Sequence, residues 1–455
     1  MPISHYSIYK TLAFGILFAV FTLIPECLLA LSIGNTKGEV IDFYTKAPIE
    51  GAIVTINNKV SLTDENGMFS IGTLAYTLAV RACGYMRKEQ QIPIPLLTTP
   101  LLNTPLLVEL VPFEPKALYL TVFGIGERNI REPALELIEK TELNALVIDV
   151  KGDRGIVNYR SAVPLASEVG SQKIIILKDI KGMIKSLKDK GIYTIARIVV
   201  FKDNPLALAR PDLAIKTLTG ELWLDREGLA WVDPLKKEVW DYNIKIAVEA
   251  AQAGFDEIQF DYVRFPDEEG LQFSKPNTEE NRVMAISGFL MEAKKRLIPY
   301  NVFLAADIFG YVFWNTNDTY IGQKLEDITP LVDYVCPMLY PSGFSYGIPH
   351  YRNPVAHPYD IVYLTLKNAQ KRTHVPTNRF RPWLQAFRDY AFDKRHFEGD
   401  EIRAQVNAAE DFGTNGWMLW NPRNVYSTDG LKKETFQNTF TGKKIDEKDK
   451  TPMEH

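Results

Sequence analysis

From Leu118 to about Asn421, short apolar runs alternate with longer stretches in which apolar residues recur every three or four positions. A strand buried in a parallel sheet reads as a brief hydrophobic run, and the helix covering it reads as an amphipathic one. The alternation therefore predicts repeated βα units. Eight strands are expected: "LYLTVFGIG" (118–126), "NALVIDVKG" (144–152), "YTIARIVVF" (193–201), "DEIQFDYVRF" (256–265), "VFLAADIFG" (302–310), "DYVCPMLYP" (333–341), "RPWLQAF" (381–387) and "GWMLWNP" (416–422). Asp233 followed by Pro234 predicts an N-cap with proline at the first helical position, and the helix beyond should end before Gly254. Eight such units argue for an α/β fold, a (β/α)8 TIM barrel with enlarged loops. A doubly wound open sheet is the competing architecture, but no glycine-rich nucleotide loop accompanies it.

The region before the barrel has a different period. Between residues 34 and 113, Val40, Ile53, Val54, Ile56, Phe69, Ile71, Leu78 and Val80 supply apolar faces at strand spacing, with a turn expected at "DENG" (64–67). This pattern predicts a small N-terminal all-β sandwich domain. The stretch "PLLTTPLLNTPLLVELVPFEP" reads as a last strand running into a linker before a barrel domain over 114–440. The charged end, 441–455, reads as a disordered tail.

Residues 1–33 stand apart. Lys10 precedes "TLAFGILFAVFTLIPECLLALSIG", an apolar run that has Ala30 in the small position before a cleavage point. Two readings are open: a secretory signal peptide, favoured by Pro25 and Glu26, or an uncleaved membrane anchor, since ~20 apolar residues span a bilayer. A lipoprotein site at Cys27 is disfavoured by the glutamate standing where a small residue is expected. Either predicts a secreted, periplasmic or cell-envelope location. Past this segment only Cys83 and Cys336 remain, expected in different domains, so no disulfide framework is implied.

Composition adds exclusions. The formal net charge is −4 and no basic block stands out, so nucleic acid is not expected as a partner. Six histidines are scattered without metal-ligand spacing, and neither a metal nor another cofactor is called for.

Catalytic groups of TIM barrels project from the C-terminal ends of the strands. Polar residues gather there: Asp149, Lys151 and Asp153 on strand two, Arg197 and Lys202 on three, and Gln259, Asp261 and Arg264 on four. Asp307 is on strand five, Tyr340 on six, Gln385 on seven, and Trp420 with Asn421 on eight. The opposite strand ends read as apolar or turn-like. Period-two alternation sends Ile258, Phe260 and Tyr262 toward the helices and Gln259 and Asp261 inward; by the same rule Asp307 points inward above Ala305, and Asp149 follows Val147. Three carboxylates should converge on one rim.

Glycosidic bond cleavage typically uses two carboxyl groups, one giving a proton to the leaving oxygen and one attacking the anomeric carbon or activating water. Asp261 and Asp307 are the candidate catalytic pair. Asp149, Lys151, Arg197, Arg264, Tyr340, Gln385 and Trp420 are candidates for substrate binding or for orienting that pair, with Arg264 expected beside Asp261. The competing reading is that the aspartates form structural ion pairs with Lys151, Arg197 and Arg264. Trp314, Tyr340, Phe344, Trp383 and Trp420 could stack on sugar rings or pack the core. Basic groups at the mouth permit an acidic sugar without requiring one. A metal-dependent hydrolase using Asp149 with Asp261 is a further class.

Several stretches carry family resemblances. "GEVIDFYTKAPIEGAIVTI", "TDENGMFSI" and "LAVRACGYM" resemble the carboxypeptidase regulatory-like family of small β-sandwiches, which implies a non-catalytic accessory module. "AWVDPLKKEVWDYNIKIAVEAAQAG", "GFDEIQFDYVRFPD", "DYVCPMLYPSGF" and "NGWMLWNPRNVY" resemble a glycoside hydrolase family of bacterial TIM barrels, distantly similar to the α-amylase and α-galactosidase superfamilies. The resemblance spans about 118 to 430. It implies a nucleophilic aspartate at the end of strand four, matched by Asp261, and an acid/base on strand five or later, where Asp307 is the nearest match. α-Amylases have glutamate on strand five, and here it is aspartate. Chitinase-like barrels carry a glutamate two residues after the last aspartate of strand four, where this chain has Val263. The expectation is an exported glycoside hydrolase acting on a polysaccharide or cell-envelope glycan. The alternative is a non-catalytic carbohydrate-binding or envelope-scaffold protein on the same barrel.

Overall fold

A computed structural model describes residues 35–72, 77–92 and 105–433. The signal or anchor segment and the charged tail lie outside the described residues. The chain divides into two compact units: the residues up to Val111 except Cys83–Tyr85, and Pro112 onward together with Cys83–Tyr85. Cys83 thus shares a unit with Cys336, contrary to the sequence expectation, because its neighbour Tyr85 bridges to Pro112.

The first unit holds two sheets. One has three strands in the order Met68–Ile71, Thr36–Asp42, Leu106–Leu110; the other has four, in the order Lys59–Leu62, Ile53–Ile56, Thr77–Arg81, Lys88–Gln91. Their core is built from the alternating apolar faces, with Val40, Val54, Ile56, Leu78 and Val80 fully buried. At the turn, Asp64 Oδ1 accepts from the amides of Asn66 and Met68, and Gly67 takes φ +71°, a conformation that favours glycine.

The second unit is a closed barrel of eight parallel strands in chain order, with helices outside. Its strands are β1 (Lys116–Leu120), β2 (Ala145–Lys151), β3 (Tyr193–Val199), β4 (Glu257–Asp261), β5 (Phe303–Phe309), β6 (Tyr334–Met338), β7 (Trp383–Gln385) and β8 (Trp417–Trp420). Closure joins β8 to β1, with Trp417 opposite Lys116. The (β/α)8 architecture read from the sequence is the observed one.

The strand ends differ from expectation where local chemistry outweighs the apolar run. β1 stops at Leu120, because the Thr121 side chain accepts the Gly124 amide and caps a short helix over Val122–Gly126. β4 stops at Asp261, because Tyr262 has φ +48°, a left-handed conformation that breaks an extended strand. Asp233 and Pro234 form a turn ahead of the helix Lys237–Ala253, so the helix starts three residues after that proline; Asp233 Oδ1 accepts the Leu235 amide instead. That helix ends as expected, with Gly254 left-handed at φ +104°.

Outward-facing residues bind the strands to the helices. Phe260 meets Phe289 of the helix Glu279–Leu297 edge to face at 4.9 Å. Inside the barrel, the lower end is polar rather than apolar. Glu257 and Arg381 form an ion pair of 2.6 Å with neither side chain exposed, and Tyr193 donates to the same carboxylate oxygen. Two opposite charges satisfied by one another can occupy that interior, where either alone would be costly.

Candidate active site

The upper rim is organised by one guanidinium. Arg197, on β3 and 1% exposed, reaches three carboxylates: Asp149 at 2.6 Å, Asp153 at 2.8 Å and Asp261 at 2.6 Å. Strand register makes this possible, since Arg197 stands opposite Asp149 on β2 and the nearby Val199 stands opposite Asp261 on β4. A cation therefore already occupies the space between Asp149 and Asp261, the two residues that a metal-dependent mechanism would use.

Asp261 is held at both oxygens. Oδ2 accepts two hydrogen bonds from Arg197, and Oδ1 accepts the amide of Tyr262 at 2.6 Å. The left-handed turn at Tyr262 accompanies that contact. It also carries the chain away from β4, so Arg264 is not the partner of Asp261. Arg264 instead lies against the rings of Trp231 and Tyr262, at 5.0 and 5.2 Å.

Asp307 differs from Asp261 in almost every respect. It comes directly after Ala306, which pairs with Phe260, and so stands at the register position beside Asp261. Trp383 donates its indole N–H to Oδ1 at 2.7 Å, while Oδ2 is buried with no hydrogen-bond partner among the described residues. Burial, aided by the nearby charge of Asp261, holds this carboxyl well above the ordinary carboxylate range. Asp149 is pushed up to about 6 by burial, which outweighs the attraction of Arg197; Tyr119 donates to it at 2.6 Å.

Aromatic rings form the surroundings. Tyr119 stacks on Trp420 at 4.0 Å, Trp383 meets Trp420 edge-on at 5.4 Å, and the Arg197 guanidinium lies 4.9 Å from the Trp420 ring. Above them opens a cavity of about 260 Å³. Asp261, Arg197, Arg264, Tyr340, Phe344, Trp383 and Trp420 line it, joined by Tyr262, Phe309, Tyr311 and Tyr390. Asp307 and Asp149 are not among its lining residues. A cleft with one polar, charged side and aromatic walls suits a sugar, whose hydroxyls need hydrogen bonds and whose C–H faces stack on rings.

Other sequence candidates lie elsewhere. Lys151 points away from the mouth: a register shift on β2 places it opposite Ile198, on the outward side, where it pairs with Asp203 at 2.8 Å and bonds Asn243 at 3.0 Å. Gln385 is buried behind the cavity, where its side chain bonds both the amide and the hydroxyl of Ser342. It thereby fixes the loop that carries Tyr340 and Gly343 into the cavity wall. Trp314 donates to Thr365 and packs against the core, away from the cavity. Tyr119, Tyr311 and Tyr390 were not singled out from the sequence, and Tyr262, expected to face the helices, lines the cavity instead because its left-handed backbone leaves the strand. Tyr119 shares the inward face of β1 and carries the only signal that alternation could have used.

An eight-stranded parallel barrel with carboxylates, a shared arginine and aromatic rings at its C-terminal rim has the architecture of a glycosyl hydrolase-like domain. Residues 117–426 match the family described as "Putative glycosyl hydrolase domain", and the chain belongs to that family. A hypothetical protein from Ruminiclostridium thermocellum is 38% identical, over 42% of this chain and 96% of its own, with a TM-score of 0.37. The glycoside hydrolase domain of PgaB (BpsB) from Bordetella bronchiseptica is similar in fold, at 15% identity over 69% of this chain and 95% of its own, with a TM-score of 0.51. The spore cortex-lytic enzyme SleL of Bacillus megaterium is 14% identical over 74% of this chain and 76% of its own, with a TM-score of 0.40. No curated protein matches the chain.

Proposed function

We propose that the protein is an exported glycoside hydrolase that cleaves a polysaccharide or cell-envelope glycan with Asp261 and Asp307 as its two working carboxyl groups. The supporting observation is the contrast between neighbouring rim positions. Asp261 is ion-paired with Arg197 at 2.6 Å; Asp307 is buried with Oδ2 unpartnered among the described residues, and burial favours its neutral acid. Unlike surroundings for two neighbouring carboxyl groups are how one site holds a nucleophile or base and an acid together.

In this reading Asp261 attacks the anomeric carbon, or activates the water that does, while Arg197 and the Tyr262 amide fix its direction. Asp307 delivers its proton to the leaving oxygen through Oδ2, and Trp383 orients it. Stacking on Trp420 and Tyr340 places the sugar. The acid role is tested with Asp307→Asn on paired substrates. Turnover of an alkyl or sugar leaving group should fall at least about a hundredfold, the usual contribution of general acid catalysis. A dinitrophenyl leaving group needs no proton, and its release should fall much less. Equal losses on both would remove Asp307 from the acid role.

A second reading has one observation in its favour: Asp307 does not line the cavity, and both Asp261 oxygens are already engaged. A barrel that binds glycan without cutting it would look like this. Binding without product over long incubation distinguishes it. Export rests on the apolar segment of residues 1–33, and fractionating cells that express the full chain tests it. The region over 34–113 is read as a carboxypeptidase regulatory-like accessory module.

A further inference from the structure

Two arginines, Arg197 and Arg264, line the 260 Å³ cavity, and they differ in their partners. Arg197, Arg282, Arg372 and Arg381 each meet a carboxylate at 2.6–2.8 Å. For Arg264 no carboxylate stands within ion-pair distance among the described residues. Its one hydrogen bond among the described residues runs from Nη1 to the Phe265 carbonyl at 2.9 Å. A guanidinium has five N–H donors, so most of this one is unused. The rings of Trp231 and Tyr262 hold it, at 5.0 and 5.2 Å. Stacking of this kind pre-orders the planar fork and lowers the entropy lost when it grips an anion.

Its position gives the fork a task. Arg264 and Tyr262 line both the 260 Å³ cavity and a second one of about 190 Å³ beside it. In the second cavity Lys202 meets Asp225 at 3.3 Å and Glu227 at 3.0 Å, and with Arg226, Asp267 and Glu268 the lining beside Arg264 holds four carboxylates against two cations. That side repels an anion. In the first cavity the other charged residues among the described lining are Arg197 and Asp261, and Arg197 is shared by Asp261, Asp149 and Asp153. Arg264 is therefore the cation of that lining with no carboxylate in direct contact among the described residues, and a sugar carboxylate matches its planar, two-pronged donor set.

We propose that Arg264 determines specificity by binding a carboxylate on the sugar held in the first cavity, so that the substrate class is an acidic, uronate-containing glycan. This rests on the glycoside hydrolase reading for its meaning, but the test reads binding and stands apart from turnover. Wild-type protein, R264Q and R264K are titrated calorimetrically with oligomers of galacturonate, of mannuronate and guluronate, and of glucuronate-containing repeats. Each is measured beside its carboxyl-reduced counterpart.

At least one acidic oligomer should bind the wild type about tenfold more tightly than its reduced form, the effect of one charge-assisted contact. R264Q should lose that preference. R264K, which keeps the charge without the fork, should retain part of it, and added salt should weaken it. The unfolding midpoint of each variant separates misfolding from lost recognition. The proposal is overturned if no acidic oligomer outbinds its reduced counterpart, or if R264Q keeps the preference. Acid-selective binding with no product from any oligomer would instead overturn the hydrolase reading alone.

Discussion

Arg197 donates twice to a single oxygen of Asp261, through Nε at 2.9 Å and Nη2 at 2.6 Å, while its Nη1 holds Asp149 at 2.6 Å. One side chain on β3 thus ties the strand-two and strand-four carboxylates together beneath the cavity.

Removing that side chain leaves three carboxylates without their shared counter-charge. Arg197→Met should destabilise the protein by about 3–5 kcal/mol, the usual result of breaking a buried ion pair from one side. Urea denaturation at neutral pH measures it. A change within a few tenths of a kcal/mol would mean that the three acids find other partners.

Acidity should change stability through Asp149. Its proton is held up to about 6 in the folded chain against an ordinary value of 3.8. A raised folded value means a contribution to stability that is complete below pH 3.8 and lost as pH rises through 6. Asp307 is raised as well and acts in the same direction. Denaturant midpoints measured from pH 4 to 8 should show this component, and Asp149→Asn should flatten it between pH 4 and 6.

Trp383 lowers the proton affinity of Asp307 by donating to Oδ1. Trp383→Phe keeps a ring and deletes the donor, so Asp307 should hold its proton to higher pH. If Asp307 is the acid, the alkaline limb of the pH–rate profile moves upward. An unmoved limb would assign that limb to another group.

Lys151 should behave as a structural residue. It is fully buried against Asp203, whose other oxygen caps the helix Asn204–Ala209. Lys151→Met leaves that aspartate charged and unpaired, and should cost about 3–5 kcal/mol. Thermal unfolding against turnover of the folded fraction separates this from a role in binding substrate.

The contrast between Lys151 and Asp149 marks where the sequence stops being legible. The eight strands were readable because each is a short apolar run between amphipathic stretches. Simple alternation sent Gln259, Asp261 and Asp307 inward. The same rule failed at Lys151, since one extra residue on β2, Val150, turns the chain over between Asp149 and Lys151. It failed again at Arg264, because the left-handed Tyr262 ends β4 and redirects the residues beyond it. Neither a bulge nor a positive φ at tyrosine announces itself in composition. The convergence of Arg197 on three acids depends on register between strands, which single-strand periodicity does not carry.

Asp261→Asn is the most direct measurement of the central claim. The substitution keeps the side chain's shape and one hydrogen-bond acceptor while removing the charge needed for attack on the anomeric carbon. With a glycan that the wild type cleaves, product release followed by mass spectrometry should fall by at least about a thousandfold, as expected when the nucleophile or base is lost. Affinity for the same glycan should stay close to wild type, while the unfolding midpoint should fall, because both Asp261 oxygens accept hydrogen bonds and an amide keeps only one acceptor. Turnover is therefore read per folded protein. Turnover by Asp261→Asn at the wild-type rate would contradict the assignment of this carboxylate, and with it the two-carboxylate site.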